Sequence, residues 1–323
     1  MRLLRGRIRP EAIPGGAVLT IGKFNGLHRG HRALLDVAAE EARARELPLV
    51  MLCFEPLPGE FFKGVEAEAR LARFASQWRL IETTGLVDVV ACLRFDAALA
   101  AQSAEDFVKE TLVTGLTARA VVVGEEFRFG RQRKGDLDLL ERLGWRRGFA
   151  TRGVAPVADA GRRISSSRVR EALTEHRLDE AASLLGRPFR VYGRVRAGDG
   201  LGRRLGFPTA NLALGHRPPP LAGVYLVRAG GLPGGPHHGM ANVGERPTVN
   251  GRRRLLEIYF PEFAGDLYGR LLAVDFLFRL RDEERFENLD ALRAAIAADV
   301  NEGERWLDAH GLEWDAENVA FEG

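Results

Sequence analysis

The sequence predicts an α/β chain of two domains: a parallel sheet covered by helices, then an antiparallel β-barrel closed by a terminal helix. Three observations carry that expectation. The 323 residues suffice for two hydrophobic cores. The first half alternates apolar strand-like runs with helix-period segments, the pattern of a parallel sheet. In the second half, short strand-like runs are separated by Gly- and Pro-rich turns, the pattern of a small antiparallel barrel.

The first-half strands are expected at "AVLTIG" (17–22), "LPLVMLCF" (47–54), "LVDVVACL" (86–93), "RAVVVG" (119–124) and "FATRGVAPV" (149–157). Helices are expected between them at 31–46, 68–84, 104–115 and 135–147, followed by two more at 166–175 and 178–185. In the segment 68–84, Leu71, Phe74, Trp78 and Ile81 share one helical face. "LGRP" (185–188) breaks the pattern and places the boundary between domains 1–186 and 187–323. Beyond it the strands read "FRVYGRV" (189–195), "GVYLVRAG" (223–230), "HHGMANVG" (237–244), "RLLEIYF" (254–260) and "LLAVDFLFRL" (271–280). A helix over 288–309 ends the pattern, with Asn288 as its cap.

Composition is that of an ordinary globular protein, 46% apolar and 28% charged. The formal net charge of +3 calls for neither nucleic acid nor membrane as a partner. Acids outnumber bases from Asp282 onward, leaving the preceding part positive, which suits anionic ligands. Cys53 and Cys92 each sit inside a strand-like run, so they read as core and not as a disulfide framework. No run approaches membrane-span length. The first residues carry charge without the apolar core of a signal peptide, and the expected location is cytoplasmic. Nothing in the sequence sets an oligomeric state.

Two stretches carry chemistry. In "IGKFNGLHRGH" (21–31), Gly22, Phe24, Asn25 and Gly26 lead from the first strand to His28 and His31, which open the first helix. A turn there lies at the carboxyl edge of the sheet, where ligands bind, and unpaired helix N–H groups point toward the same place. Imidazoles can donate hydrogen bonds to phosphate oxygens that gain charge in a transition state. Gly30 has no side chain to block their approach. A turn with two surface histidines would also fit a bare H-x-G-H, whereas zinc lacks a further ligand cluster. Farther on, "ISSSRVR" places Ser165, Ser166 and Ser167 at a helix start with Arg168 and Arg170 just inside, a combination suited to phosphate.

The second stretch, "GRVRAGDGLGRRLGFPTANL" (193–212), has five glycines in its first fourteen residues and lacks the Walker pattern. Thr209 and Asn211 are two apart, so in an extended segment they share a face and could complete the oxygen shell of a Mg²⁺ that also holds phosphates. Glu257 in "LLEIYF" is a carboxylate flanked by apolar residues of a strand. It reads either as solvent-facing or as a general base.

Both stretches resemble known families. "IGKFNGLHRGH", "CFEPLPGEFF" (53–62), "VVVGEEFRFGRQRKGD" (121–136) and "RRISSSRVREAL" (162–173) look like the Rossmann-like nucleotidylyl transferase superfamily in the form of bacterial FAD synthetases. That resemblance implies an ATP site at Gly22, Phe24, Asn25, Gly26, His28, Gly30, His31, Ser165–Ser167 and Arg170. It places flavin or adenine near Phe54, Phe61, Glu126 and Phe127. The chain departs from the usual pattern at Asn25, Leu57 and Glu126. "GDGLGRRLGFPTANL", "LAGVYLV", "GMANVGERPTVN", "LLEIYF", "DLYGRLL" and "LRDEERFENLDALRAAIAAD" are similar to riboflavin kinases. This second resemblance implies ATP contacts at Gly198, Gly200, Gly202, Arg203, Gly206, Pro208, Thr209 and Asn211. It also implies Mg²⁺ at Thr209 and Asn211, flavin contacts at Arg281 and Glu283, and Glu257 as base. The two modules in this order resemble the bacterial bifunctional enzymes that make FMN and then FAD, with riboflavin, FMN and ATP as substrates. Two other readings remain: a kinase whose first module is inactive, and a non-catalytic flavin or RNA binder.

Overall fold

In the computed structural model, which describes residues 1–6, 8–198, 202, 206–215, 218–248, 251–261 and 263–312, the chain forms two compact units. One comprises Met1–Glu68 with Gln77–Ser165, the other Ala69–Ser76 with the chain from Ser166 onward. The helices over 166–185, placed before the boundary by sequence, thus group with the barrel by packing.

The first unit is built on strands Arg2–Arg5 (β1), Ala17–Ile21 (β2), Leu49–Glu55 (β3), Val89–Arg94 (β4), Ala118–Gly124 (β5) and Ala150–Val154 (β6). They lie in the order β1-β4-β3-β2-β5-β6, every neighbouring pair parallel. Every residue of β2 is buried, because a parallel sheet is covered on both faces. After β2 the chain builds toward β3 and β4 on one side, then crosses to β5 on the other. The carboxyl ends of β2 and β5 therefore form a topological switch point, where α/β sheets bind ligands.

Helix Arg29–Ala44 (α1) follows β2 and buries Leu34, Leu35, Ala38, Ala39 and Ala42, the spacing of one helical face. Pro58–Lys63 (α2) is short, and the Glu60 carboxylate accepts the Leu57 N–H at 3.0 Å. Phe74–Glu82 (α3) is shorter than its periodicity predicts. Within the second unit, Arg73 donates to the Tyr192 carbonyl (3.2 Å) and Arg170 to the Ala69 carbonyl (2.7 Å), so tertiary bonds replace helix over 69–73. Ala97–Ala101 (α4) and Ala104–Asp106 (α5) come next, and α5 continues as a π-helix over Phe107–Gly115. Leu137–Arg147 (α6) starts at Asp136, whose carboxylate accepts the Leu139 N–H at 3.0 Å. The strand expected to 157 ends at Val154, and beyond it follows a small hairpin of two-residue strands, Ala158–Asp159 (β7) with Arg162–Arg163 (β8).

In the second unit, Ser166–Thr174 (α7) and Leu178–Leu185 (α8) are linked by Arg168, only 8% exposed, bonded to Glu180 at 3.1 Å. Six strands then close a barrel: Phe189–Arg196 (β9), Thr209–Ala213 (β10), Gly223–Leu232 (β11), Gly235–Thr248 (β12), Gly251–Tyr259 (β13) and Leu271–Arg281 (β14). Their order is β10-β13-β12-β11-β14-β9, and β9 pairs with β10 to complete the ring. Leu289–Ala309 (α9) ends the described chain, capped by Asn288, which accepts the Ala291 N–H at 2.8 Å. Its Leu307 and Trp306 pack with Leu226, Met240 and Phe278 on the outside of the barrel. The two-domain α/β architecture expected from the sequence is what the chain adopts.

Candidate functional site

At the switch point, the loop after β2 coils tightly, with positive φ at Phe24, Gly26 and Leu27. Non-glycine residues rarely adopt that region, and such strain gathers at ligand sites. Phe24 and Asn25 are buried beneath the loop. Gly22 lets the Phe24 ring approach, since a Cβ there would stand 3.0 Å from it.

His28 is the N-cap of α1, so the helix begins two residues before the expected start at 31. Its Nδ1 accepts the His31 N–H at 3.2 Å. An Nδ1 that accepts is unprotonated, so the neutral ring carries its proton on Nε2 and can donate there. The two imidazoles stack with centroids 3.6 Å apart, and Phe24 tilts against His31 at 5.2 Å. Burial, reinforced by nearby Arg163, lowers the His28 pKa from 6.5 to about 4. Burial and then His28 itself hold His31 well below its ordinary value. The pair is therefore neutral at physiological pH. A Cβ on Gly30 would lie 3.2 Å from His28 Nδ1 and 3.8 Å from the Ile164 carbonyl, so the residue before Ser165 runs beside the H-x-G-H turn. Ser166, Ser167 and Arg170 belong to α7 of the second unit, where Arg170 is engaged with Ala69.

Four phenylalanines cluster in the same unit. Phe95 meets Phe54, Phe61 and Phe62 edge-on, with centroids 5.9, 5.4 and 5.8 Å away. Phe61 and Phe62 are 39% and 68% exposed, an apolar surface of the kind that ligands cover. Phe127 stacks on Phe129 at 5.4 Å, and Glu126 pairs with Arg163. Phe62 and Arg163 lie within the motifs 53–62 and 162–173 without being singled out there, and Phe95 lies outside every motif. Phe95 lies just past the fourth strand, as Phe61 lies past the third, and that position was the available signal.

On the barrel, β10, β13 and β12 lie side by side. Ala210, Leu212, Leu256, Ile258, Ala241 and Val243 are buried, and the intervening residues face outward. Register places Asn211 opposite Glu257 and Glu257 opposite Asn242, one outward row across three strands. Thr209 shares the outward face of β10, two residues from Asn211. Two glycines of the preceding stretch lie against these side chains: a Cβ on Gly198 would stand 2.6 Å from Asn211 Nδ2, and one on Gly202 would stand 3.3 Å from Thr209 Oγ1. Gly206 and Pro208 lead into β10, while Gly200 and Arg203 lie outside the described residues.

Arg281 makes a bidentate pair with Asp299 of α9 (2.8 Å each) and lies over the Phe286 ring at 5.4 Å. Glu283 instead reaches Gly244, where its carboxylate occupies the space a Cβ would need. The two residues thus face different partners. A hydroxyl, an amide and a carboxylate on one outward face, with Gly198 and Gly202 close by, form an oxygen-rich set that suits Mg²⁺.

Histidines at a sheet switch point and a carboxylate beside a T-x-N segment define a nucleotide-dependent transferase with two sites. The FAD synthetase family matches residues 11–168 and the riboflavin kinase family residues 185–307. A bifunctional riboflavin kinase/FMN adenylyltransferase of Escherichia coli K12 is 46% identical over 300 residues, 93% of this chain and 96% of its own length. A protein of the same name from Pseudomonas fluorescens is 46% identical over 303 residues, with the same coverage. A solved structure from Streptococcus pneumoniae, described as a macrolide-efflux protein, aligns with a TM-score of 0.79 at 29% identity, covering 95% of this chain and all of that one. No helix among the described residues here is long and apolar enough to cross a membrane.

The chain belongs to the family of bifunctional riboflavin kinase/FMN adenylyltransferases. It is an ATP-dependent kinase and nucleotidyltransferase of flavin cofactor synthesis, with riboflavin, FMN and ATP as its substrates.

Proposed function

We propose that the two activities run in sequence at the two sites built above, in the cytoplasm, with the functional modules meeting at 186/187. At the barrel, Glu257 orients the terminal ribityl hydroxyl of riboflavin and takes its proton as that oxygen attacks the γ-phosphate of ATP. ADP leaves and FMN forms. Thr209 and Asn211 would hold Mg²⁺, which when bound neutralises phosphate charge. The glycine loop over Gly198 and Gly202 lets backbone N–H groups close on the triphosphate.

At the sheet, a phosphate oxygen of FMN attacks the α-phosphorus of a second ATP, and the α–β bond breaks to release pyrophosphate. His28 and His31 act as neutral donors to the oxygens that gain charge, and no covalent enzyme intermediate forms. Ser165 adds an ATP contact within the same unit, and Arg163 supplies positive charge beside His28. Phe54, Phe61, Phe62 and Phe95 receive the flavin ring, with Glu126 and Phe127 at its margin.

The observation that carries the kinase reading is the in-register row of Asn211 and Glu257. For the transferase it is the stacked neutral pair on the N-terminus of α1. The test is to incubate the protein with riboflavin, ATP and Mg²⁺ and separate the flavins. His31→Ala should lose FAD while still making FMN, by about 10²–10³-fold in rate. Glu257→Ala should lose FMN formation by about 10²–10⁴-fold and still convert supplied FMN to FAD. FAD synthesis that survives in His31→Ala, or normal FMN output from Glu257→Ala, refutes the corresponding role.

A further inference from the structure

The row across the barrel contains one residue that the mechanism above leaves unused. Asn242 faces outward from β12 between the buried Ala241 and Val243, directly across the ladder from Glu257. Its side-chain Oδ1 is buried and has no hydrogen-bond partner. Buried polar atoms are nearly always paired, and beside Glu257 the missing donor is one that a bound substrate can bring. An acceptor rejects phosphate and carboxylate and selects an O–H or N–H group.

What flanks Asn242 along β12 narrows the choice. Two residues on is Gly244, where a Cβ would overlap the Glu283 carboxylate and stand 3.2 Å from Asn242 Nδ2. Asn242 and Glu283 therefore converge on one spot, which the Glu283 carboxylate can enter because residue 244 has no side chain. With Glu257 proposed at the hydroxyl that is phosphorylated, Asn242, its partner across the ladder with Glu283 close by, is placed at the polyol that leads away from that hydroxyl. Two strand residues span about 7 Å, the scale of a short polyol chain.

We infer that Asn242 Oδ1 accepts a hydrogen bond from a secondary hydroxyl of the ribityl chain, fixing the polyol so that its terminal hydroxyl meets Glu257. The inference rests on the kinase reading of Glu257. The group is a polyol-binding and positioning residue, and it makes the barrel selective for a hydroxylated chain over an alkyl one.

The experiment measures FMN formation by the full-length protein, wild type and Asn242→Ala, with riboflavin and with its 2′-, 3′- and 4′-deoxy analogues. The expected result has three parts. The variant raises the KM for riboflavin about tenfold, the typical loss for one good hydrogen bond, and leaves the KM for ATP within twofold. Its melting temperature does not fall, because an unpaired acceptor has been removed, whereas a structural asparagine would lower it. One deoxy analogue loses about tenfold with wild type and nothing further with the variant. An unchanged riboflavin KM, or equal losses for every analogue in both proteins, overturns the inference. Should the variant not fold, a wild-type enzyme indifferent to all three analogues overturns it equally. Failure of the underlying reading looks different: Glu257→Gln would then keep normal FMN formation whatever the analogues show.

Discussion

His28 accepts the His31 amide through Nδ1, which leaves its proton on Nε2, and burial keeps it uncharged down to about pH 4. FAD formation from supplied FMN should therefore show no imidazole inflection between about pH 5.5 and 8. The same burial links to stability. The unfolded ring protonates near 6.5 and the folded ring only near 4, so the unfolded state binds the extra proton between those values. Stability is thus fully present above about 6.5 and is lost as pH falls toward 4, by roughly 3 kcal/mol at the acid end for this residue. Denaturant unfolding across that range should flatten in His28→Asn, which keeps a cap acceptor without an ionisable ring. An acid limb as steep as in the wild type would contradict the buried neutral assignment. The histidines were legible in the sequence because their place after the first strand is a chemical signature. Their stacking, and the part played by Arg163, were not, since Arg163 arrives from a hairpin 135 residues farther along the chain.

At the scale of elements, α9 is tied to the barrel by apolar packing and by the Arg281–Asp299 pair, whose side chains are only 23% and 8% exposed. Asp299→Ala would leave a largely buried guanidinium unpaired and should cost roughly 2–4 kcal/mol in denaturant unfolding of the barrel. Asp299→Asn, which keeps one acceptor, should cost less, and equal costs would show that packing alone holds the helix. The elements themselves were readable where one local signal dominates, as with Asn288 capping α9 and the alternation of β9. They were misread where distant bonds decide. Residues 69–73 have helical spacing, yet Arg73 donates to the Tyr192 carbonyl and the Ala69 carbonyl accepts from Arg170, both partners far away in sequence. β1 was missed because "RLLR" has no alternation and gains its ladder only from β4. The extended segment expected at Thr209 and Asn211 is the strand β10, whose glycine-rich approach hides five residues of clean alternation.

At the scale of the whole molecule, the proposal gives each chemistry its own architecture. The sheet supplies a helix N-terminus and neutral donors. The barrel supplies a carboxylate within a row of amides. The central claim is that these two sites act independently, linked only by FMN. It is tested most directly by mixing purified His31→Ala with purified Glu257→Ala and supplying riboflavin, ATP and Mg²⁺. Neither variant alone should convert riboflavin to FAD, while the mixture should, after a lag set by release of FMN from one protein and capture by the other. FAD from either variant alone, or a mixture that stays silent while accumulating FMN, would contradict it.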